Sequence, residues 1–281
     1  MRYGGNTSCV VLESADADPL ILDLGTGLRY FGEDYCLRSG APFKGTALLS
    51  HLHWDHVQGL PFFPPINKEG AHLDIVGIAE GDGGIAASFG KIMTPPYFPV
   101  CVKDLAGHVS FFDLDGSTMA VGDATVTARR VPHVGVTNGY RVEWRDASVA
   151  YISDHQQPLE DASHVAAEVI ELGGGVDVLI HDAQYTDDEF SSRRHWGHCT
   201  IDYAFEVARR CEPRVLVLFH HDPLHHDDVL DRLQSELPTL TRRYGLRQAV
   251  VAYEGLSLEV AGGTVHVLGE GPVPRGGGRD R

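Results

Sequence analysis

The strongest chemical signal in the sequence is a short run of metal-ligating side chains. Residues 51–56 read H-L-H-W-D-H and directly follow a short apolar run. His51 and His53 are two residues apart, so an extended backbone directs both imidazoles to one side, while Asp55 and His56 can turn back toward a second position. Imidazole and carboxylate ligands without thiolate suit Zn(II) and tolerate Mn(II) or Fe(II). The spacing therefore predicts two divalent metal ions, preferably Zn(II), on a loop that follows a strand.

Short apolar runs rich in β-formers alternate with helical patterns and must position these ligands. A strand is predicted over Val215–Phe219, and helices are predicted over Ala162–Leu172, Ile201–Arg210 and Asp227–Arg243. Thr200 is the expected N-cap of the second of these helices. The pattern favours an α/β protein with sheets in the middle and helices outside. Since no linker divides the chain, residues 1–269 are expected to form one domain, followed by a disordered, Gly- and Pro-rich tail over 270–281.

Composition and charge narrow the classes of function. The 281 residues include 23 Lys and Arg against 39 Asp and Glu, which gives a net charge of −16 and disfavours binding to a long nucleic acid. No apolar run approaches the roughly 20 residues that cross a bilayer, and the N-terminus lacks the layout of a signal peptide. Five scattered cysteines argue against disulfides and thiolate zinc sites. We expect a soluble, cytoplasmic protein without a membrane partner, and a homodimer is left open.

The H-x-H-x-D-H segment resembles the signature of the metallo-β-lactamase fold superfamily, and further motifs agree with that resemblance in the same order. They are G-N-T-S-C at 5–9, L-D-L-G-T-G at 22–27, V-P-H at 131–133, Y-I-S-D at 151–154 and L-F-H at 218–220. The resemblance implies a four-layer αβ/βα sandwich of the α/β class. It also implies one metal on His51, His53 and His133, another on Asp55, His56 and His220, and a bridging Asp154.

Four histidines follow the predicted strand Val215–Phe219, so the choice of a metal ligand among them needs a reason. His220 is preferred because it ends the apolar strand Val215–Phe219. His221, His225 and His226 are left for supporting or surface roles.

The surroundings of His133 bear on the reaction. This histidine lies in P-H-V-G-V-T-N-G-Y-R, and the G-Y-R variant resembles the phosphodiesterase branch, which contains tRNA 3′-processing endonucleases and cyclic phosphodiesterases. The resemblance implies that a metal-bridging hydroxide attacks phosphorus, that Asp55 orients the nucleophile, and that His198, held by Asp182, protonates the leaving oxygen. The acidic chain lacks a long basic insertion, so a small or cyclic phosphodiester is preferred to tRNA as substrate.

Several alternatives remain at this point. His198 could instead cap its own helix, with Asp182 bonding only a loop. Arg193 and Arg194 precede this histidine and could meet a phosphate, although paired arginines in a polar loop are commonly solvent-exposed. The same metals could hydrolyse a carboxylic ester, a lactone or a β-lactam. The chain could also be a non-catalytic, metal-binding accessory protein.

Overall fold

The computed structural model describes residues 1–78, 81–114, 116–269 and 271–272. The predicted tail, residues 270–281, therefore lies outside the described residues apart from two positions. The chain divides into two units, each described by itself. The N-terminal unit comprises Asn6–Arg130 and Gly135–Asn138, and the C-terminal unit comprises Met1–Gly5, Val131–Val134 and Gly139–Arg281. The single domain expected over residues 1–269 stays a prediction.

The N-terminal unit contains a five-stranded sheet and a β-hairpin. The sheet has the strand order β1–β5, in which β1 (Val10–Leu12) is antiparallel to β2 (Leu20–Leu22) and the remaining pairs are parallel, namely β3 (Lys44–Leu48), β4 (His72–Gly77) and β5 (His108–Asp113). The hairpin pairs β6 (Thr118–Val121) with β7 (Ala124–Arg130). The helices are α1 (Leu28–Arg38), α2 (Trp54–Val57) and α3 (Gly84–Ile92), with 3₁₀ turns at Leu60–Phe62, Pro64–Asn67 and Val102–Asp104.

The core of the N-terminal unit is strongly aromatic. The buried ring of Phe43 packs edge-on against Phe63, with centroids 5.0 Å apart, and against Tyr35, with centroids 5.1 Å apart. Edge-to-face pairs of this kind stabilise a core beyond the area that they bury. Tyr35 lies in α1, Phe43 directly precedes β3, and Phe63 follows the predicted ligand loop, so the cluster holds these three segments together.

The C-terminal unit contains a second set of strands in the order β12–β11–β10–β9–β8. Their bounds are β8 (Asn138–Trp144), β9 (Ala147–Ile152), β10 (Val178–Asp182), β11 (Val215–Phe219) and β12 (Ala249–Val251). A separate hairpin joins β13 (Ser257–Ala261) to β14 (Thr264–Leu268), and the helices are α4 (Ala167–Gly173), α5 (Asp187–Arg193), α6 (Ile201–Cys211) and α7 (Asp227–Tyr244). The hydrophobic core lies between this sheet and helices α4, α6 and α7.

The parallel strands of the C-terminal unit bring the predicted site residues to one edge. Strands β9, β10 and β11 are mutually parallel, with Asp182 paired to Phe219 in register. Asp154 follows β9 by two residues, Asp182 ends β10, and His220 follows β11 directly. Because the carboxyl ends of parallel strands open at the same edge, loops from different parts of the chain meet there.

The three predicted helices agree with the structure to within one residue except at one start. Helix α6 begins after Thr200, whose side chain accepts a hydrogen bond from Tyr203 N at 3.1 Å, so the predicted N-cap is confirmed. The helix predicted from Ala162 instead begins at Ala167. Asp161 explains the difference, because its carboxylate accepts hydrogen bonds from the backbone and hydroxyl of Ser163 and holds a turn. No helix in the described ranges has both the length and the apolar character needed to cross a bilayer.

Candidate active site

Residues 51–56, named here the His51 loop, bring four predicted ligands together within the N-terminal unit. The ring of His51 lies 4.3 Å from that of His53 and 4.2 Å from that of His56, measured between centroids. The Nε2 atom of His56 lies 3.2 Å from Asp55 Oδ2. His51 and His56 are buried. The loop therefore gathers imidazole and carboxylate groups where burial would be costly without a cation or a hydrogen-bond network.

A buried aspartate orients the histidines of the His51 loop. Asp23 Oδ2 accepts hydrogen bonds from His56 Nδ1 at 2.7 Å and from Ser50 Oγ at 2.8 Å, while Oδ1 accepts from Ser50 N at 2.7 Å. Ser50 Oγ in turn lies 2.9 Å from His51 Nδ1. With both Nδ1 atoms engaged, Nε2 is the atom that each ring offers to a metal.

Asp23 and Ser50 are site residues that the sequence analysis missed. Asp23 stands in the quoted L-D-L-G-T-G motif, directly after β2, and adopts a left-handed backbone with φ of 62°. A charged side chain placed directly after a buried strand was the available signal, because such a residue needs a partner inside the fold.

We expect Asp23→Asn to weaken metal binding about 10- to 100-fold, since such a hydrogen-bond partner fixes the tautomer and basicity of a ligating histidine. Asn also tolerates the left-handed backbone at this position, so folding is expected to survive. The matched control is Asp74→Asn, which removes the carboxylate of the half-buried His72–Asp74 pair, 2.8 Å apart. Competition with a chromogenic zinc chelator measures both variants, and equal zinc affinity in the two would contradict the role given to Asp23.

The His51 loop is pinned to the glycine turn after β2. Leu24 N donates to His56 O at 2.8 Å, and Gly59 N donates to Leu24 O at 2.7 Å. A Cβ atom added at Gly59 would overlap the carbonyl oxygen of Gly25. Only glycine fits this close approach of two backbone segments.

Gly59→Ala is therefore expected to lower the free energy of unfolding by about 1–3 kcal/mol through overpacking. The control is Gly90→Ala in α3, where an added Cβ meets nothing within 4 Å. That variant should gain about 0.5–1 kcal/mol from helix propensity. Urea unfolding of both proteins checks the opposite signs, and unchanged stability of Gly59→Ala would refute the close approach.

The C-terminal unit holds three further predicted ligands, His133, Asp154 and His220, together with the predicted general acid His198. These four residues are named here the Asp154 cluster. His133 Nε2 lies 3.8 Å from Asp154 Oδ2, and His220 Nε2 lies 3.8 Å from Oδ1 of the same carboxylate. These separations exceed a hydrogen bond and leave room for a cation beside each oxygen. The ligand atoms of Asp154, His198 and His220 all lie within 4.8 Å of one another. The donor set is thus one that a divalent metal would fit.

The histidines that follow β11 have different neighbours in the structure. His220 approaches Asp154, and its backbone has a left-handed φ of 56°, a strained conformation that recurs at functional sites. His225 instead lies 3.0 Å from Glu189, and His226 is exposed. The structure thus places His220 in the cluster and its two later neighbours elsewhere.

Asp182 and His198 form a hydrogen-bonded pair at the edge of the Asp154 cluster. His198 Nδ1 donates to Asp182 Oδ2 at 2.9 Å, and the buried carboxylate also accepts from the backbone N atoms of His155 at 2.9 Å and Gln184 at 3.0 Å. His198 stacks on His220 at 5.0 Å between centroids. Since Thr200 caps α6, the alternative in which His198 caps that helix is wrong.

Two glutamines fix the backbone of residues 197–200, around His198. They were not selected from the sequence. Gln156 Oε1 accepts from Gly197 N at 2.9 Å, and Gln157 N donates to His198 O at 3.2 Å. Gln157 Oε1 accepts from Thr200 N at 3.1 Å and from Thr200 Oγ1 at 2.9 Å. The backbone on both sides of His198 is therefore held. No local sequence signal marks these glutamines, because their partners lie about forty residues further along the chain.

Burial disfavours protonation of the two other histidines beside Asp182. Burial lowers the pKa of His155 well below its ordinary value, and burial also lowers the pKa of His181. The two rings share a hydrogen bond of 2.9 Å between His155 Nδ1 and His181 Nε2. Asp182 contacts His181 as well as His198, because His181 Nδ1 donates to the Asp182 carbonyl oxygen at 2.7 Å. The Asp182 charge opposes the effect of burial on the pKa of His181.

Comparison with known proteins identifies the family of the chain. Residues 38–221 match the family model described as the β-lactamase superfamily domain. The chain is similar to a Ribonuclease Z from Pyrobaculum aerophilum, with 48% identity over 80% of this chain and 85% of that protein. A shorter match to a Ribonuclease Z from Anoxybacillus flavithermus, 26% identical, covers 52% of this chain and 47% of that protein.

The fold also has solved counterparts. One is a structure described as a new diphosphatase from the PhnP family, which is 18% identical in sequence. The match covers 91% of this chain and 85% of that chain, with a TM-score of 0.65. At that identity the likeness shows the fold alone, and it confirms the predicted αβ/βα fold class. The chain therefore belongs to the β-lactamase superfamily, has the metallo-β-lactamase fold and is a metal-dependent hydrolase.

Proposed function

We propose that the chain is a phosphodiesterase that hydrolyses a small or cyclic phosphodiester. The observation that carries this proposal is the Asp182–His198 pair, in which a buried carboxylate holds an imidazole beside Asp154 and His220. An alkoxide leaves a phosphodiester poorly unless it is protonated, and a positioned histidine supplies that proton.

The proposed metal ligands are those implied by the family resemblance. His51, His53 and His133 would hold one divalent ion, Asp55, His56 and His220 the other, and Asp154 would serve both. Two bound cations lower the pKa of water and neutralise the charge of the phosphate oxygens. Zn(II) is the proposed metal because the donors are imidazole and carboxylate, and Mn(II) or Fe(II) fits the same set.

The chain's own residues divide the remaining tasks. Asp23 orients His56 through the 2.7 Å hydrogen bond, and Asp55 orients the nucleophile. Asp182 keeps a proton on Nδ1 of His198, so that Nε2 can carry a second proton to the departing oxygen. The two glutamines hold the backbone of His198 during this transfer.

The negative net charge of the chain favours a small substrate over a long nucleic acid. A net charge of −16 opposes a long polyanion, whose binding draws on many Lys and Arg contacts to phosphates. The similarity to proteins named Ribonuclease Z favours RNA as the second candidate substrate. The cytoplasmic location and the homodimer stay predictions of the sequence.

A substrate panel with the zinc-loaded protein tests the proposal. We expect chelator-sensitive cleavage of bis(p-nitrophenyl) phosphate and of a cyclic nucleotide, with slower cleavage of an RNA oligonucleotide. A chromogenic ester and a chromogenic β-lactam complete the panel. Turnover restricted to these two carbonyl substrates would overturn the phosphodiesterase assignment and select carbonyl hydrolysis. A zinc-loaded protein that cleaves nothing in the panel would also overturn the phosphodiesterase assignment.

A further inference from the structure

The segment that leads to His198 carries an arginine held between two aromatic rings. The guanidinium carbon of Arg193 lies 5.4 Å from the ring centre of Tyr185 and 5.8 Å from that of Trp196. Tyr185 is buried, whereas Trp196 is 63% exposed. Cation–π contacts of this kind hold a guanidinium in place without using its N–H donors.

The donors of Arg193 remain available to a ligand. Its ion-pair partner within the described ranges is Asp222, with Nη1 3.9 Å from Oδ2, which is too far for a hydrogen bond. The structure shows no hydrogen bond from this guanidinium to any described residue, and the side chain keeps 22% of its surface exposed. Arg194 differs, because its Nη2 donates to Leu159 O at 2.8 Å.

This arginine adjoins the proposed catalytic histidine. The ring of Tyr185, on which Arg193 stacks, lies 5.9 Å from the ring of His198 and is perpendicular to it. Trp196 is separated from His198 only by Gly197, whose left-handed φ of 95° sets the turn between them. An anionic ligand bound at Arg193 would therefore lie on the His198 side of the C-terminal unit.

We propose that Arg193 and Trp196 form a recognition subsite for a nucleoside phosphate. Arg193 donates to anionic phosphate oxygens, for which a fixed, planar guanidinium is suited. The exposed ring of Trp196 stacks on the base, an interaction that tolerates any base because each has a π face. This inference rests on the proposed function, since it names the part of the phosphodiester that this side of the site binds.

Calorimetric titration of the zinc-loaded full chain tests the subsite with two probes, thymidine monophosphate and inorganic phosphate. Arg193→Gln should weaken both probes about tenfold or more, because a charged hydrogen-bond donor is lost. Trp196→Ala should weaken only the nucleotide, by about 5- to 100-fold, and Trp196→Phe should restore most of that loss. Arg194→Gln removes the same charge one residue away and should change either affinity by less than about twofold.

The outcomes separate the subsite from the proposed function. Binding by Arg193→Gln equal to that by Arg194→Gln overturns the subsite, and so does equal weakening of both probes by Trp196→Ala. If the wild type still cleaves bis(p-nitrophenyl) phosphate, the proposed function survives that result. If the nucleotide binds with the predicted dependence but no phosphodiester is cleaved, the proposed function fails and the subsite stands.

Discussion

Replacing His198 by Ala is expected to lower kcat for phosphodiesters about 10²- to 10⁴-fold while the bound metal stays at the wild-type level. His198 Nδ1 is committed to the buried Asp182 carboxylate at 2.9 Å, so Nε2 is the atom that can transfer a proton. A general acid contributes to the reaction step and adds nothing to metal affinity. Steady-state kinetics and elemental analysis on the same preparation measure both quantities.

The dependence on the leaving group sharpens this prediction. The loss in His198→Ala should be largest for an alkyl leaving group and smaller for p-nitrophenolate, which needs little protonation. Asp182→Asn should show a smaller loss with the same dependence, because it removes the charge and keeps a polar partner. Loss of metal from His198→Ala would contradict the general-acid role and would make His198 a metal ligand. The ligand role is the strongest alternative, because His198 Nδ1 lies only 3.8 Å from Asp154 Oδ2.

Replacing Asp154 by Ala is expected to have the second large effect, on metal content. Imidazoles approach both oxygens of this carboxylate at 3.8 Å, from His133 on one side and His220 on the other. We expect the metal content to fall from about two ions per chain to well under half of that. Activity should fall with it, by about 10³-fold or more, since the cations supply several kcal/mol.

The control for Asp154→Ala is Asp177→Ala, because Asp177 directly precedes β10, at the opposite end of that strand from Asp182. Asp177 is also buried, and it accepts hydrogen bonds from Ser148 and pairs with Arg214 at 2.8 Å. Its loss should lower the melting temperature and leave metal content unchanged. Full metal content in Asp154→Ala, or equal metal loss in the two variants, would contradict the bridging role.

The elements that the sequence predicted correctly have strong local signals. Strand β11 has the predicted bounds, Val215–Phe219, because a parallel strand buried on both faces is a continuous apolar run.

Helix α1 was not predicted. Its interior contains Gly32, a poor helix former, which is required because an added Cβ would contact Phe63 and two prolines. The hairpin β13–β14 was missed although alternating residues flank Gly262-Gly263, a typical turn signal.

Some residues of the candidate site could likewise be selected from the sequence, and others could not. The four predicted ligands of the His51 loop could be selected because they are neighbours in the sequence. Asp182 and His198 came from the family resemblance alone, and the structure places them 2.9 Å apart. Asp23 had a sequence signal, its charge directly after a buried strand, that was not used. Gln156 and Gln157 could not be selected, because each acts through partners that only the folded chain brings near.

The most direct test of the central claim is the metal content of the purified, zinc-supplemented protein, measured together with hydrolysis of bis(p-nitrophenyl) phosphate before and after chelation. The account predicts about two divalent ions per chain and activity that chelation removes and zinc restores. A protein that binds no metal under reducing conditions, or that cleaves the phosphodiester equally well after complete metal removal, would contradict it.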